Sequence, residues 1–404
     1  MNIWVAAELD IAVPGGPLEH LVGLWNTMAS RGHQVLISVP PPSGPAAREI
    51  SFAVDVSVSG LGPRQFAFQC ALWHQWHART AQGIRPDCIF LRAGQWLLAP
   101  AIFGQKYNIP VIVEINGLAR KHLASRQLFP QCISTAALIE GKLSRCARFV
   151  IAISPSVGKA LILDHGLDEQ RLVFIPTGVN CAEFRPSSSL EERMHDRRRF
   201  GLEKEIVIGY VGTFDWWQGL PNLLHALHHL RATHRGGNWK ALIAGFGADE
   251  HSLRLLTMQL GLQDSVVFTG RLKSDDVPGF LRAIDIGVLP RDDYAPTPTK
   301  LLQYFASGLP AVYPALDDLL WLGEAGLTFV PGTRHATQGG LADVLAKLCD
   351  HAALREQVGA RNRELSLREL DWTCIANKVE AVLIESSACH ATGGLNNEAA
   401  DRKT

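Results

Sequence analysis

The eight cysteines (Cys70, Cys88, Cys132, Cys146, Cys181, Cys349, Cys374 and Cys389) include no C-x-x-C pair. That excludes a zinc ribbon and a disulfide scaffold and fits a reducing compartment. An excess of charge is missing too: 39 basic and 39 acidic side chains sum to zero. Nothing draws the chain generally to nucleic acid or anionic lipid, and no aromatic-basic pattern is present, so any phosphate must be met by a local site. Long apolar runs are absent. The uncharged stretch Ala93 to Gln105 contains Pro100 and is about half a membrane span. The opening MNIWVAAELD has no basic segment leading into an apolar one, so no secretory leader is expected and the expected location is the cytoplasm. No complete G-x-G-x-x-G, H-x-x-x-H with a third ligand, or G-x-S-x-G occurs. Hydride transfer, a bound metal and a hydrolase triad therefore lose their sequence support. His225, His228 and His229 lie close together, but the leucines among them claim the buried face.

What is present is core. Apolar residues make up 47% of 404 residues, more than one hydrophobic core of ordinary size absorbs, so two or three domains are expected. Short apolar runs at Ile3–Ala7, Val35–Val39, Cys88–Leu91, Val111–Ile115, Phe149–Ile153 and Val173–Ile175 read as buried strands. Between them lie helical patterns. In 17–31, Leu18, Leu21, Val22, Trp25 and Met28 share one face and Gly32 closes the segment. The charged stretch 187–204 reads as a linker containing a short solvated helix. The alternation then restarts, with strands at Ile206–Val211, Ala241–Ala244, Val266–Phe268, Ile284–Leu289 and Ala311–Tyr313. Two α/β halves with parallel sheets follow from this pattern. Residues 388–404, small and polar, read as a mobile tail.

In such sheets ligands bind beyond the carboxyl ends of the strands, where a turn opens a helix. Four turns qualify. Gly15-Gly16 precedes the first helix. Gly212-Thr213 leads through Trp216-Trp217-Gln218 to Gly219-Leu220-Pro221. Gly245-Phe246-Gly247 ends another strand. The fourth is the richest: Thr297 suits a helix N-cap, Pro298 the first turn, and Lys300 follows inside it, with Gln303 one turn on. A first-turn lysine opposes the helix dipole and calls for an anion.

These pieces, in this order, resemble the family 4 retaining glycosyltransferases. Ile208-Gly-Tyr-Val-Gly212-Thr213, Ala244-Gly-Phe-Gly247, Val267-Phe-Thr-Gly270-Arg271-Leu272, Asp285-Ile-Gly-Val-Leu-Pro290 and Thr297-Pro-Thr-Lys300-Leu-Leu-Gln303-Tyr-Phe-Ala-Ser-Gly308-Leu-Pro310 carry the likeness in the second half. The last is similar to that family's S-P-x-K-x-x-E-Y-x-A-x-G-x-P run. In the first half, Gly15-Gly16, Arg31-Gly-His33, Ala152-Ile-Ser154-Pro155, Ile175-Pro-Thr-Gly178 and Val111-Ile-Val-Glu114-Ile-Asn116-Gly117 carry it.

The resemblance implies an α/β chain of the GT-B fold. Its domains would be 1–186 on the acceptor side and 187–367 for the nucleotide sugar, with a helix over 368–386 returning to the first and a tail from 387. It implies transfer of a sugar from a nucleotide-diphosphate sugar to a saccharide or lipid-linked acceptor, without metal or resident cofactor, and leaves peripheral contact with the inner face of a membrane open. The donor would be bound by Gly15, Gly16, Gly212, Thr213, Gln218, Gly245, Phe246, Gly270, Arg271, Leu272, Thr299, Lys300, Leu301 and Gln303. Glu114 and Asn116 would meet the acceptor, and Lys300, Gln303 and Asn116 would be catalytic. Three departures stand against it. Gln303 replaces the family's second glutamate and Ala295 its first. Thr213 and Gln218 replace a basic pair, and Asn116 stands near the acceptor-side histidine. Asp292 and Asp293 are the nearest carboxylates to the lost one. Two other readings are a weakened nucleotide- or sugar-binding relative acting as a scaffold, and a nucleotide-sugar epimerase. The latter needs acidic and histidine catalytic groups that the sequence does not place.

Overall fold

The computed structural model describes residues 1–56, 64–94, 96–124, 130–291, 298–331 and 340–401. The chain folds as two compact units. The first comprises Met1–Thr177 and Trp372–Thr404, the second Gly178–Asp371. The crossings at 177/178 and 371/372 differ from the expected 186/187 and 367/368.

In the first unit β1 (Asn2–Ala7), β2 (Gln34–Val39), β3 (Ala53–Val56), β4 (Cys88–Arg92), β5 (Val111–Ile115), β6 (Phe149–Ala152) and β7 (Leu172–Phe174) form one sheet. Its order is β3-β2-β1-β4-β5-β6-β7 and every pairing is parallel. The central strands are buried on both faces, which is why they read as continuous apolar runs. β3, only four residues with Asp55 among them, carries no such run and escapes a sequence reading. The first helix, Gly16–Ser30, buries the expected face of Leu18, Leu21, Val22, Trp25 and Met28 in the core.

Ile375, Ala376, Val379 and Leu383 of the returning helix, Trp372–Asp401, join the same core. Gly23 makes that packing possible. A Cβ there would stand 2.1 Å from the Trp372 indole, so only glycine lets the ring lie across the helix. The helix backbone continues to Asp401, past the start of the expected tail.

In the second unit β8 (Ile206–Thr213), β9 (Trp239–Phe246), β10 (Val266–Gly270), β11 (Ile286–Val288), β12 (Ala311–Pro314) and β13 (Leu327–Phe329) form a parallel sheet ordered β10-β9-β8-β11-β12-β13. The three-residue β13 was invisible to periodicity for the same reason as β3. The charged stretch is no linker. Its helix Leu190–Arg198 is capped by Ser189, whose Oγ accepts from the Glu192 N–H. Asp196 and Arg197 of that helix are buried, paired to Arg282 and Asp285 of the same unit. Alternating charge here marks ion pairing, which sequence alone cannot distinguish from solvation. Among the described residues, no helix is long and apolar enough to cross a membrane.

Candidate functional site

The second unit gathers its polar side chains at the carboxyl ends of β8, β9 and β11. Lys300 is the second residue of the helix Thr299–Ala306. Pro298, expected in the first turn, instead occupies the cap position in extended backbone, and no side chain caps the helix. The expected N-cap Thr297, and with it Asp292, Asp293 and Ala295, lies outside the described residues. The Lys300 ammonium donates to Tyr210 Oη (2.9 Å) and Gln218 Oε1 (3.0 Å) and sits 4.2 Å over the Tyr210 ring. Gly212 leaves room for the ammonium, since a Cβ there would come within 2.3 Å of Nζ, and its positive φ of 153° favours glycine as well.

Gln218 in turn donates to Thr213 Oγ1 (3.3 Å), and Tyr210 Oη donates to the Thr213 carbonyl (2.9 Å). Both residues that depart from the family's basic pair are therefore in the shell that holds Lys300. Its two partners are neutral. Burial pushes the Lys300 pKa down to about 7, the Arg291 charge pushes the same way, and Asp215 opposes them. An anion at this ammonium would restore its charge.

The other expected donor residues spread along the same edge of the sheet. Gly212 pairs in register with Gly245, and Thr213 with Phe246, at the ends of β8 and β9. Gly270 ends β10, and the Arg271 guanidinium stacks 4.5 Å over the half-exposed Phe246 ring. Leu272 is partly buried against the core. Thr299 and Gln303 are partly buried, whereas the Leu301 side chain is wholly inside the core, so only its backbone is left for a ligand. Trp216 is exposed at the turn Trp216–Gln218, with its ring edge-on to Trp217.

In the first unit Gly15 caps the first helix without a side-chain bond and Gly16 begins it. The polar cluster lies elsewhere, on the end of β5. Glu114 is 1% exposed and accepts from Asn116 Nδ2 (2.6 Å) through Oε1 and from His20 Nε2 (2.9 Å) through Oε2. Arg92, its register partner on β4, approaches to 3.8 Å. The second ring nitrogen of His20 bonds Thr177 Oγ1 at 2.6 Å. Burial pushes the Glu114 carboxyl up, but the His20 charge and hydrogen bond, Arg92 and Asn116 more than reverse it and hold it below the ordinary value. Glu8, just past β1, is the opposite case: burial raises its pKa and its Oε2 has no partner among the described residues.

His20, Arg92, Thr177, Tyr210 and Arg291 escape a sequence reading. One signal was available. A carboxylate inside the apolar run Val111–Ile115 requires buried partners, although the sequence does not say which. Among the described residues no group of three or more His, Cys, Asp or Glu side chains forms a metal cradle.

Comparisons with known proteins match this arrangement. The family model "Glycosyl transferases group 1" matches residues 192–364, and "Glycosyltransferase Family 4" matches residues 14–183. Over 414 aligned residues the chain is 25% identical to glycogen synthase of Mycobacterium tuberculosis, covering 95% of this chain and 94% of that protein. It is 30% identical to mannosylfructose-phosphate synthase of Agrobacterium fabrum over 174 residues, 42% of this chain and 38% of that one. The solved structure of Anabaena HepE in complex with UDP-glucose superposes with a TM-score of 0.76 at 17% identity, covering 95% of this chain and 100% of HepE. Sucrose-phosphate synthase from Thermosynechococcus elongatus superposes equally well, at 0.76 and 19% identity over 96% and 99%. The architecture shared with them is the GT-B fold.

Proposed function

Since the chain belongs to the family 4 glycosyltransferases, we propose that it moves a hexose, with retention, from a nucleotide-diphosphate sugar to a saccharide or lipid-linked acceptor. The observation that carries this reading is Lys300. It is a partly buried cation at a helix start, held over a glycine strand end by two neutral oxygens, with its charged form disfavoured until an anion arrives. A diphosphate leaving group supplies that anion, and a preorganised cation stabilises the charge that develops as the glycosidic bond breaks. In this reading Gly212 would give the phosphates close approach to backbone, the Arg271–Phe246 stack would face the base, and Gln303 would meet the ribose hydroxyls. No metal or resident cofactor takes part. HepE, solved with UDP-glucose, supports a uridine nucleotide as donor. Asn116, beside Glu114, is the acceptor-side group, and a lipid-linked acceptor would bring the protein to the inner face of a membrane.

The test is calorimetric titration of UDP and of uridine, with and without EDTA. UDP binds in both, and Lys300→Met weakens UDP by about 1.5–3 kcal/mol, the range of a charged hydrogen bond, while uridine changes much less. Equal UDP affinity in the variant, or loss of binding in EDTA restored by magnesium, sinks the reading. Gln303, and Gln218 in place of a cation, favour a second reading as a binding scaffold. A protein that binds UDP yet neither transfers from nor hydrolyses UDP-glucose is that scaffold.

A further inference from the structure

His20 touches the chain at both of its crossings. Thr177, the last residue of the first unit before the chain leaves it, bonds one ring nitrogen at 2.6 Å. Trp372, the first residue on its return, packs against the ring face-to-edge at 5.4 Å and 77°. The other nitrogen reaches Glu114, which holds Asn116. Two side chains thus separate the crossings from the acceptor-side amide.

The order hydroxyl–imidazole–carboxylate is that of a hydrolase triad, but Thr177 and His20 are each only 5% exposed. No substrate carbonyl reaches that hydroxyl, so a hydrolytic role is discarded. A stability role is also a weak reason for the cluster, because apolar residues of equal volume serve a core as well as a buried ion pair. Orientation is a better reason. An amide end-for-end flip exchanges donor and acceptor. The ionised Glu114 accepts only, so Asn116 must turn Nδ2 toward it, and Oδ1 is directed away as an acceptor for a hydroxyl hydrogen. Glu114 can do this only while its own carboxyl is held, and His20 holds the oxygen that Asn116 does not use.

We propose that His20 is a positioning residue, which fixes the Asn116 amide through Glu114 so that Oδ1 faces a sugar hydroxyl, and is itself clamped by Thr177 and Trp372. This rests on the acceptor-side reading of Asn116. The test compares wild type with His20→Ala, His20→Gln and Thr177→Val, all labelled with ¹⁵N only at asparagine. The Asn116 Nδ2 resonances are assigned by their loss in Asn116→Asp. They should shift clearly in ¹H in His20→Ala and Thr177→Val, because the carboxylate that orients the amide is no longer held. They should lie near wild type in His20→Gln, whose amide N–H still serves Glu114. UDP affinity should stay within about twofold throughout, since Lys300 and Gly212, which would hold the diphosphate, lie in the other unit. Resonances unmoved in folded His20→Ala or Thr177→Val overturn the proposal. With UDP-glucose as donor and glucose as acceptor, kcat/KM for glucose should fall at least about tenfold, a 1.4 kcal/mol effect, in His20→Ala. KM for UDP-glucose should be unchanged. Unchanged glucose kinetics likewise overturn it. A wild type that transfers to no saccharide removes the acceptor reading, and the amide resonances alone then decide the positioning claim.

Discussion

Glu114 and Lys300 occupy similar places, each at the carboxyl end of a parallel sheet, yet their surroundings treat charge in opposite ways. Glu114 is almost wholly buried and has three partners, two of them basic, so its charged form is favoured. Lys300 has only neutral oxygens in bonding distance, and burial together with the Arg291 charge outweighs Asp215, so its charged form is disfavoured. A compensated charge is finished architecture. An undercompensated one is a candidate for completion by a ligand, and this difference separates the proposed positioning cluster of the first unit from the proposed anion site of the second.

The largest effect expected from breaking this contrast is on Glu114. Glu114→Gln keeps the shape but leaves Arg92 and His20 without their anion, and removing one partner of a buried pair costs about 3–5 kcal/mol. Urea unfolding should show that loss, and a change below about 1 kcal/mol would mean the cluster is not a compensated charge.

Lys300 should also make stability depend on pH. Its folded pKa of about 7 lies below the ordinary 10.5. Below pH 7 both states carry the proton and the penalty of burial is fully present. Above it the folded state releases a proton that the unfolded state keeps, so stability rises with pH, by up to about 1.4 kcal/mol per unit. The difference between wild type and Lys300→Met, measured from pH 7 to 9, isolates this group, and parallel curves would show that Lys300 is not desolvated.

The smallest effect is the most specific. If a diphosphate completes Lys300, UDP binding at pH 8 takes up close to one proton, and affinity falls from pH 7 to 9. Titration in buffers of different ionisation enthalpy measures the uptake, which should vanish in Lys300→Met.

Much of the frame was legible beforehand. The central strands of both sheets were, because burial on two faces leaves an uninterrupted apolar run. The first helix was, because its buried face repeats at helical spacing. Lys300 was legible as a candidate through its place between a strand and a helix. Its environment was not. The sequence predicts a cation opposed by the helix dipole, whereas in the structure its charge is set mainly by burial among Tyr210, Gln218 and Arg291, which lie 90, 82 and 9 positions away. The charged stretch before β8 misled for the same reason, since a solvated helix and one paired to Asp285 and Arg282 have the same composition.

By itself the sequence determined the fold class, the positions of the central strands and the glycine-marked turns at their carboxyl ends. All of these depend on periodicity and on backbone freedom, which act between neighbours in the chain. Only the tertiary structure decided the state of each polar group. Glu114 meets His20 across 94 residues and His20 meets Thr177 across 157, and a local pattern carries no record of such partners. Whether a buried charge is satisfied or waiting depends on them, through desolvation and short-range electrostatics that exist only once the chain has folded.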